Sequence, residues 1–585
     1  MLPILLHMHQ PDYRDPESGE PVLPWVRKHA LRGYRDVPWV LRRTGGRATI
    51  NLVPSLLDQI DHYAQGGVDP LLRLLTTPFR DLLPADRATL AEQALYGSPK
   101  RFDWFDAFAA LRDIPAQELT PAECLDRIVW GELSWFGFSA LADFPELVRL
   151  RRQGRGFGQA DLDLVVEVER TILRELHEQY RGFVAGGGEV SCSPYYHPIL
   201  PLIVNTAHAQ RNLPGVPDPG FAWPEDAREQ LRSGRARVEA WTGARVAGVW
   251  PSEGSVSPEV VEMFSELGFG WAASDEDVLR RSDPRANASS PGWFKGITLV
   301  FRDHYLSDRI GFAYQDWGGD AAAADLVTVA GGRCALLALD GENPWEHYPD
   351  AGEAFLSALF SSGETRTISD FVAAVPAVPI ARLHTGSWIN ADFQIWIGHP
   401  EDRVAWGLLV AARAAWERAG RPPAAARHVY AAEGSDWFWW YGDEFSTPLA
   451  HVFDELFRGH ITAAWKAMGL APDPRLLVPI KAVEANAVRI GPLGATDDWT
   501  GWQAATVLAV RAGAMARVGA PRRIWVGRRA DQWVVRVRGA DGWSVQGAER
   551  QPIVDGFAQV GVASSLGLYA PDGERVATWL VTETA

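Results

Sequence analysis

The chain has only three cysteines in 585 residues, Cys124, Cys192 and Cys334, far apart and without CxxC spacing. That pattern makes neither a disulfide scaffold nor a thiolate metal centre, and all three read as small buried hydrophobes. No apolar run reaches the ~18 residues that a membrane-crossing helix requires. Basic clusters are also lacking, and the formal net charge is −16. This excludes nucleic acid and anionic membrane surfaces as partners, since both demand a positive face. The opening MLPILLHMHQP has no basic leader and passes straight into a strand-like segment. No signal peptide is therefore expected, and a cytoplasmic location is. There is no low-complexity tract and no internal repeat.

What the chain has in plenty is tryptophan, with 26 residues. Trp250, Trp345, Trp388, Trp396, Trp437, Trp439 and Trp440 fall in polar, loop-like surroundings. Flat apolar rings bordered by hydrogen-bonding groups suit the faces of pyranose sugars, although they also suit packing beneath loops. Hydrophobic residues make up 47%. The length exceeds one compact core, so two or three domains, or one large domain with appendages, are expected.

Seven near-continuous apolar runs read as strands: Pro3–His9, Ala48–Val53, Glu189–Pro194, Val246–Pro251, Gly270–Asp275, Ile297–Asp303 and Cys334–Asp340. Continuous rather than alternating hydrophobicity is what a parallel strand buried on both faces needs. Helical stretches separate them, which implies βαβ units and an α/β fold: an incomplete (β/α)7 TIM-like barrel. Ser257 is a good N-cap, Pro258 suits the first helical position and Gly268 the stop, so Glu253 falls in a short βα loop. Residues 68–183 carry helical patterns, notably Asp161–Tyr180, and read as an insertion within a barrel domain over 1–390. A helical region follows over 391–475, with Glu401–Gly420 and Pro448–Gly469 amphipathic. From 476 to 585 short β runs broken by glycine and aspartate, among them RRIWVGRR and QWVVRVRG, predict a β-sandwich-like domain.

The barrel strands run into polar clusters. The first reaches His7, His9, Gln10 and Pro11, and the third leads to Tyr195, Tyr196 and His197. Two others deliver a carboxylate each, Glu253 and Asp340. A carboxylate just past an apolar strand is costly unless solvated, paired or used. Active sites of such barrels lie at the C-terminal ends of the strands. Glu342 and Glu346 compete in the Asp340 loop and read as supporting groups, while Asp303 either touches substrate or pairs locally. Cleaving a glycosidic bond takes one carboxylic acid and one carboxylate, but spacing alone does not say which residue does which.

At these motifs the sequence resembles glycoside hydrolase family 57, the retaining α-glucan-active family, over the first 470 residues or so. The matching segments are His9-Gln10-Pro11 with Leu23–Ala30, Gly188-Glu189 through His197-Pro198, Gly248 to Glu253, Asp340 to His347, and Ser387-Trp388-Ile-Asn390-Ala-Asp392. The resemblance implies a (β/α)7 barrel followed by a helical region. It makes Glu253 the nucleophile and Asp340 the general acid/base. It places His9, His197 and Trp250 around the scissile bond, with Trp345, Trp388 and Asp392 among the substrate-binding candidates. The segment Ala432 to Trp437, carrying Asp436 and Trp437, looks like a family feature beside the cleft. The expected partner is an α-glucan or maltooligosaccharide, and no cofactor or metal is required. The form DGENPWEHY resembles amylopullulanase-like or amylase-like members more than the short glucanotransferases. The family also holds 4-α-glucanotransferases and branching enzymes that use the same pair. Two other readings stand beside it. His7-x-His9 with His197 and Asp340 could be the zinc site of an amidohydrolase-type barrel. A glucan-binding protein without catalysis would keep the tryptophans and have no use for the carboxylates.

Overall fold

The computed structural model describes residues 1–331, 336–442, 444, 445 and 447–481, and beyond these the backbone of nine short strands between 488 and 582. Cys334 lies outside the described residues, while Cys124 and Cys192 are buried free thiols. Two compact units form: Met1–Val410 with Glu433–Gly442, and Ala411–Ala432 with Asp443–Ala585.

The first unit is built on ten strands: β1 Leu2–Met8, β2 Thr49–Leu52, β3 Glu189–Cys192, β4 Gly248–Val249, β5 Trp271–Asp275, β6 Gly292–Phe294, β7 Ile297–Arg302, β8 Leu337–Asp340, β9 Thr365–Arg366 and β10 Val378–Pro379. The seven predicted strands are β1, β2, β3, β4, β5, β7 and β8. They pair in parallel in the order β8-β1-β2-β3-β4-β5-β7. Leu336, just ahead of β8, forms one parallel bridge to Arg302 of β7. With the bond from Asp303 N to the Leu336 carbonyl at 2.8 Å, this bridge brings the two ends of the curled sheet together. All seven residues of β1 are buried, as strands covered on both faces must be. Leu5, Ala273, Val300 and Ala338 from four strands meet Trp250 and Trp271 in one buried cluster. The three strands not foreseen are only two or three residues long. β6 forms a hairpin with β7 and extends the sheet to β10, and β9 pairs with β1.

Helices occupy the stretch between β2 and β3. The Pro121–Leu133 helix opens with a capping box, in which Thr120 accepts from the Glu123 backbone N–H and Glu123 accepts from that of Thr120. The Gln159–Ala185 helix returns the chain to β3. After β4, Ser257 caps the Pro258–Glu266 helix by accepting from Val260 N at 3.3 Å.

In the second unit, the Pro423–Ala432 and Ala450–Ala467 helices enclose a small core of Trp416, Ala425, Val429 and Ala464. Its terminal strands form a five-stranded and a four-stranded sheet, the latter antiparallel throughout. Among the described residues, no helix is long and apolar enough to cross a membrane.

Candidate active site

The parallel register puts the ends of β1, β2, β3 and β8 level, because His7 stands opposite both Asn51 and Asp340. From there a polar network runs inward. His7 Nδ1 bonds Asn51 Oδ1 at 2.7 Å, and Asn51 Nδ2 donates to Ser191 Oγ at 3.0 Å. Ser193 Oγ is 2.9 Å from Asn51 Oδ1 and donates to the Trp250 carbonyl at 2.8 Å. Asn51 and the serines were not foreseen; the one signal was a polar residue inside the apolar TINL run of β2.

Three imidazoles stack on this network. Ring centroids lie 4.0 Å apart for His9 and His197, 5.1 Å for His7 and His197, and 5.5 Å for His7 and His9. Burial, and then the neighbouring His9, push His7 down to about 3. The same burial, with His9 and His7 beside it, holds His197 well below the usual imidazole range. Both rings are therefore neutral at pH 7. His9 Nε2 bonds Asp436 Oδ1 at 2.8 Å, and His197 Nδ1 meets Ser435 Oγ at 3.1 Å.

Glu253 follows β4 in a turn with φ 57° and ψ 27°, and His197 also has a positive φ, 56°. Non-glycine residues in this region cost roughly 1–3 kcal/mol each, and such positions gather where geometry serves function. The turn carries the Glu253 carboxyl to Trp388, whose Nε1 donates to Oε2 at 2.7 Å. The Trp388 backbone N–H also donates to the Glu253 carbonyl, at 2.9 Å. Glu253 Oε1 lies 3.9 Å from His197 Nδ1, and its side chain stays 14% exposed, so a ligand atom can reach it.

Asp340 ends β8 and accepts from Asn343 Nδ2 at 2.9 Å. Glu342, one turn on, is buried and accepts from the His9 backbone N–H at 3.3 Å and from the Tyr34 hydroxyl at 3.4 Å. Burial raises all three carboxyls. It pushes Glu253 up to about 8, with the Asp340 charge adding to the rise and the Trp388 bond opposing it. Asp340 is raised by burial against the pull of Asn343, His9 and Arg302. Glu342 is held well above the carboxylate range by burial and by Asp340. The Asp340 charge acts on both Glu253 and Glu342, so the three carboxyls titrate as a set.

The other expected site residues fall into two groups. Trp250, Trp345 and Trp437 are buried, at 1%, 1% and 2% exposure, so their rings shape the site from behind. Trp250 packs edge-on to Trp388 with centroids 5.4 Å apart, and Trp345 Nε1 donates to the Gly341 carbonyl at 3.0 Å, fixing the loop after Asp340. Asp392 accepts from Gln394 N at 3.0 Å, a local turn bond a few residues beyond Trp388. Asp303 caps the short His304–Asp308 helix, and Glu189 sits at the far, N-terminal end of β3 beside Thr49.

His9, His197 and Asp436 each offer a ligand atom within 4.8 Å of the others, as do Asp275, Asp277 and His304. In the first group the His9 and His197 rings are stacked with their planes 28° apart, and His9 Nε2 already bonds Asp436. In the second group Arg302 lies 3.6 Å from Asp275 and already supplies a cation. Among the described residues, the buried His9 Nδ1, His197 Nε2 and Trp250 Nε1 have no hydrogen-bond partner. Converging unpaired polar atoms of this kind suit a ligand rich in hydroxyls.

Buried carboxyls at the C-terminal mouth of a parallel barrel, beside neutral imidazoles and an indole donor, equip a carbohydrate-active enzyme. The sequence model of glycosyl hydrolase family 57 matches residues 3–378. The chain belongs to that family, whose members are glycoside hydrolases and transglycosylases acting on α-glucans. Its fold is similar to that of a GH57 branching enzyme from Thermococcus kodakaraensis: 15% identity, 80% of this chain and 89% of the other covered, TM-score 0.52. A GH57-type branching enzyme from Pyrococcus horikoshii gives 15% identity, 83% and 98% coverage and a TM-score of 0.51. No curated protein matches the chain.

Proposed function

We propose that the chain cleaves α-glucans by retaining double displacement, with Glu253 as nucleophile and Asp340 as general acid/base. Ionised Glu253 attacks the anomeric carbon while Asp340 protonates the departing glycosidic oxygen, giving a β-linked glycosyl ester. Asp340, now a carboxylate, takes a proton from water or from a sugar hydroxyl, which attacks the same carbon and releases Glu253. One proton shared by the pair suffices for this cycle. With that proton on Asp340, the charge that adds to the rise from burial is gone, and the Trp388 indole favours the ionised form of Glu253. The observation that carries the reading is this donor on Glu253, on a turn held in the left-handed region. His9, His197, Asp436 and Trp388 would contact the sugar at the cleavage point, with Trp250, Trp345, Trp437 and Asp392 supporting them from the second layer.

Glu253→Ala and Asp340→Ala assayed on an activated aryl α-glucoside with azide test the roles. The first should yield the β-glycosyl azide and the second the α-glycosyl azide. Wild-type turnover in either variant would refute the assignment. Water or a sugar hydroxyl as acceptor decides between amylase- or amylopullulanase-like hydrolysis and 4-α-glucanotransferase or branching activity. The likeness in fold to two branching enzymes favours testing transfer alongside hydrolysis. Chain-length and linkage analysis of products from maltooligosaccharides and amylopectin separates them.

A further inference from the structure

Arg302 is a buried cation at the end of β7 whose contacts reach the strand that carries Asp340 and the indole that donates to Glu253. Its Nε donates to the Ala338 carbonyl at 2.8 Å, two residues before Asp340 on β8. Its guanidinium carbon lies 5.3 Å from the centroid of Trp388, the ring that donates to Glu253. Nη2 donates to Asp308 Oδ1 at 2.5 Å, and Nη1 lies 3.6 Å from the fully buried Asp275 Oδ2, which His304 Nε2 also approaches at 3.3 Å. Arg302 is also the residue that bridges to Leu336 where the ring closes. A planar fork with five fixed donors can hold a strand carbonyl, two carboxylates and an indole face at once, whereas an ammonium cannot.

We infer that Arg302 is a positioning residue for the reaction, setting the Asp340 strand and the Trp388–Glu253 pair against each other across the ring closure. This rests on the catalytic roles proposed for Glu253 and Asp340. Its charge also bears on Asp340, whose other charged or hydrogen-bonding neighbours are Glu253 from the β4 loop, Glu342 from its own loop, His9 from β1 and Asn343. The Asn343 amide, then His9 and then Arg302 favour the Asp340 carboxylate, while Glu253 and Glu342, when ionised, oppose it. Removing the guanidinium raises the Asp340 pKa, so the basic limb of kcat/KM, which reports loss of the acid's proton, moves to higher pH.

The test is the pH dependence of kcat and KM for Arg302→Met and Arg302→Lys on a maltooligosaccharide. Arg302→Met should move the basic limb to higher pH and lower kcat at least tenfold. Arg302→Lys keeps the charge and loses the fork, so its limb should stay in place while kcat falls about tenfold with little change in KM. A folded Arg302→Met whose basic limb stays at the wild-type pH overturns the inference, whatever its kcat, because packing loss alone would not move a titration. If Arg302→Met does not fold, wild-type kcat in Arg302→Lys overturns it. Either result leaves the azide assignment of Glu253 and Asp340 standing, so the two readings fail separately.

Discussion

Replacing Trp388 with phenylalanine removes one donor and keeps most of a ring. The lost bond is Nε1 to Glu253 Oε2 at 2.7 Å, while the backbone bond from Trp388 N to the Glu253 carbonyl, at 2.9 Å, does not depend on the side chain. A hydrogen bond to a buried charged group is worth about 1.5–3 kcal/mol. Charged to the ionised form alone, that is roughly one to two pKa units upward for Glu253, on top of the rise that burial and Asp340 already impose. The reaction needs Glu253 ionised, so the acid limb of kcat/KM should move up by the same amount. On the acid side of that limb kcat/KM should fall by roughly 10- to 100-fold, while at high pH the variant should approach the parent. The assay is reducing-sugar release or product chromatography from pH 4 to about 11, with circular dichroism to establish folding at each pH. An acid limb that stays where it was, with activity lowered equally at every pH, would refute the role given to the indole.

Other consequences can be measured as directly. Glu253 has a folded-state pKa above its unfolded value, so its contribution to stability is fully present below about 4.5 and is lost as pH rises through about 8. Glu253→Gln should therefore raise the melting temperature at pH 8, by an amount corresponding to about 2 kcal/mol or more, and the gain should vanish near pH 4; an equal gain at both pH values would contradict the titration. Gly33→Ala would bring a Cβ within 2.7 Å of the Glu342 Cα and the Gly341 carbonyl, both backbone atoms beside Asp340. It should cost about 1–3 kcal/mol of stability and lower kcat, as thermal melts and steady-state kinetics would show. Activity should survive prolonged EDTA treatment; loss with recovery on adding zinc would instead make His9, His197 and Asp436 ligands.

The barrel was legible because strands buried on both faces cannot alternate, and β1, β5 and β7 announce themselves as apolar runs. β4 was foreseen but shrinks to Gly248–Val249, since the turn that lifts Glu253 leaves the ladder at once. β6, β9 and β10 are too short to carry periodicity. The carboxylates were visible as charges at strand ends. The tryptophans misled in one respect: Trp250, Trp345 and Trp437 sit in polar stretches of sequence and are nonetheless enclosed, because the loops fold over them. Asn51, Ser193 and Arg302 went unread as site neighbours because their importance comes from partners 36 to 142 positions away. Separations of that size are fixed by the closing of the sheet and leave no local pattern.

The β7–β8 join gives the barrel a weak line. Among the described residues β8 takes its ladder from β1 and meets β7 through the Leu336–Arg302 bridge, the bond from Asp303 N to the Leu336 carbonyl and the Arg302 side chain, and β3 meets β4 through one pair as well, Cys192 and Val249. A cylinder parted along one line keeps its staves, so warming should open this edge early. Asp340 rides on that edge, so the acid should leave its station at temperatures where most of the scaffold is still standing. Heat inactivation would then precede the main calorimetric transition, with amide exchange rising early along β8.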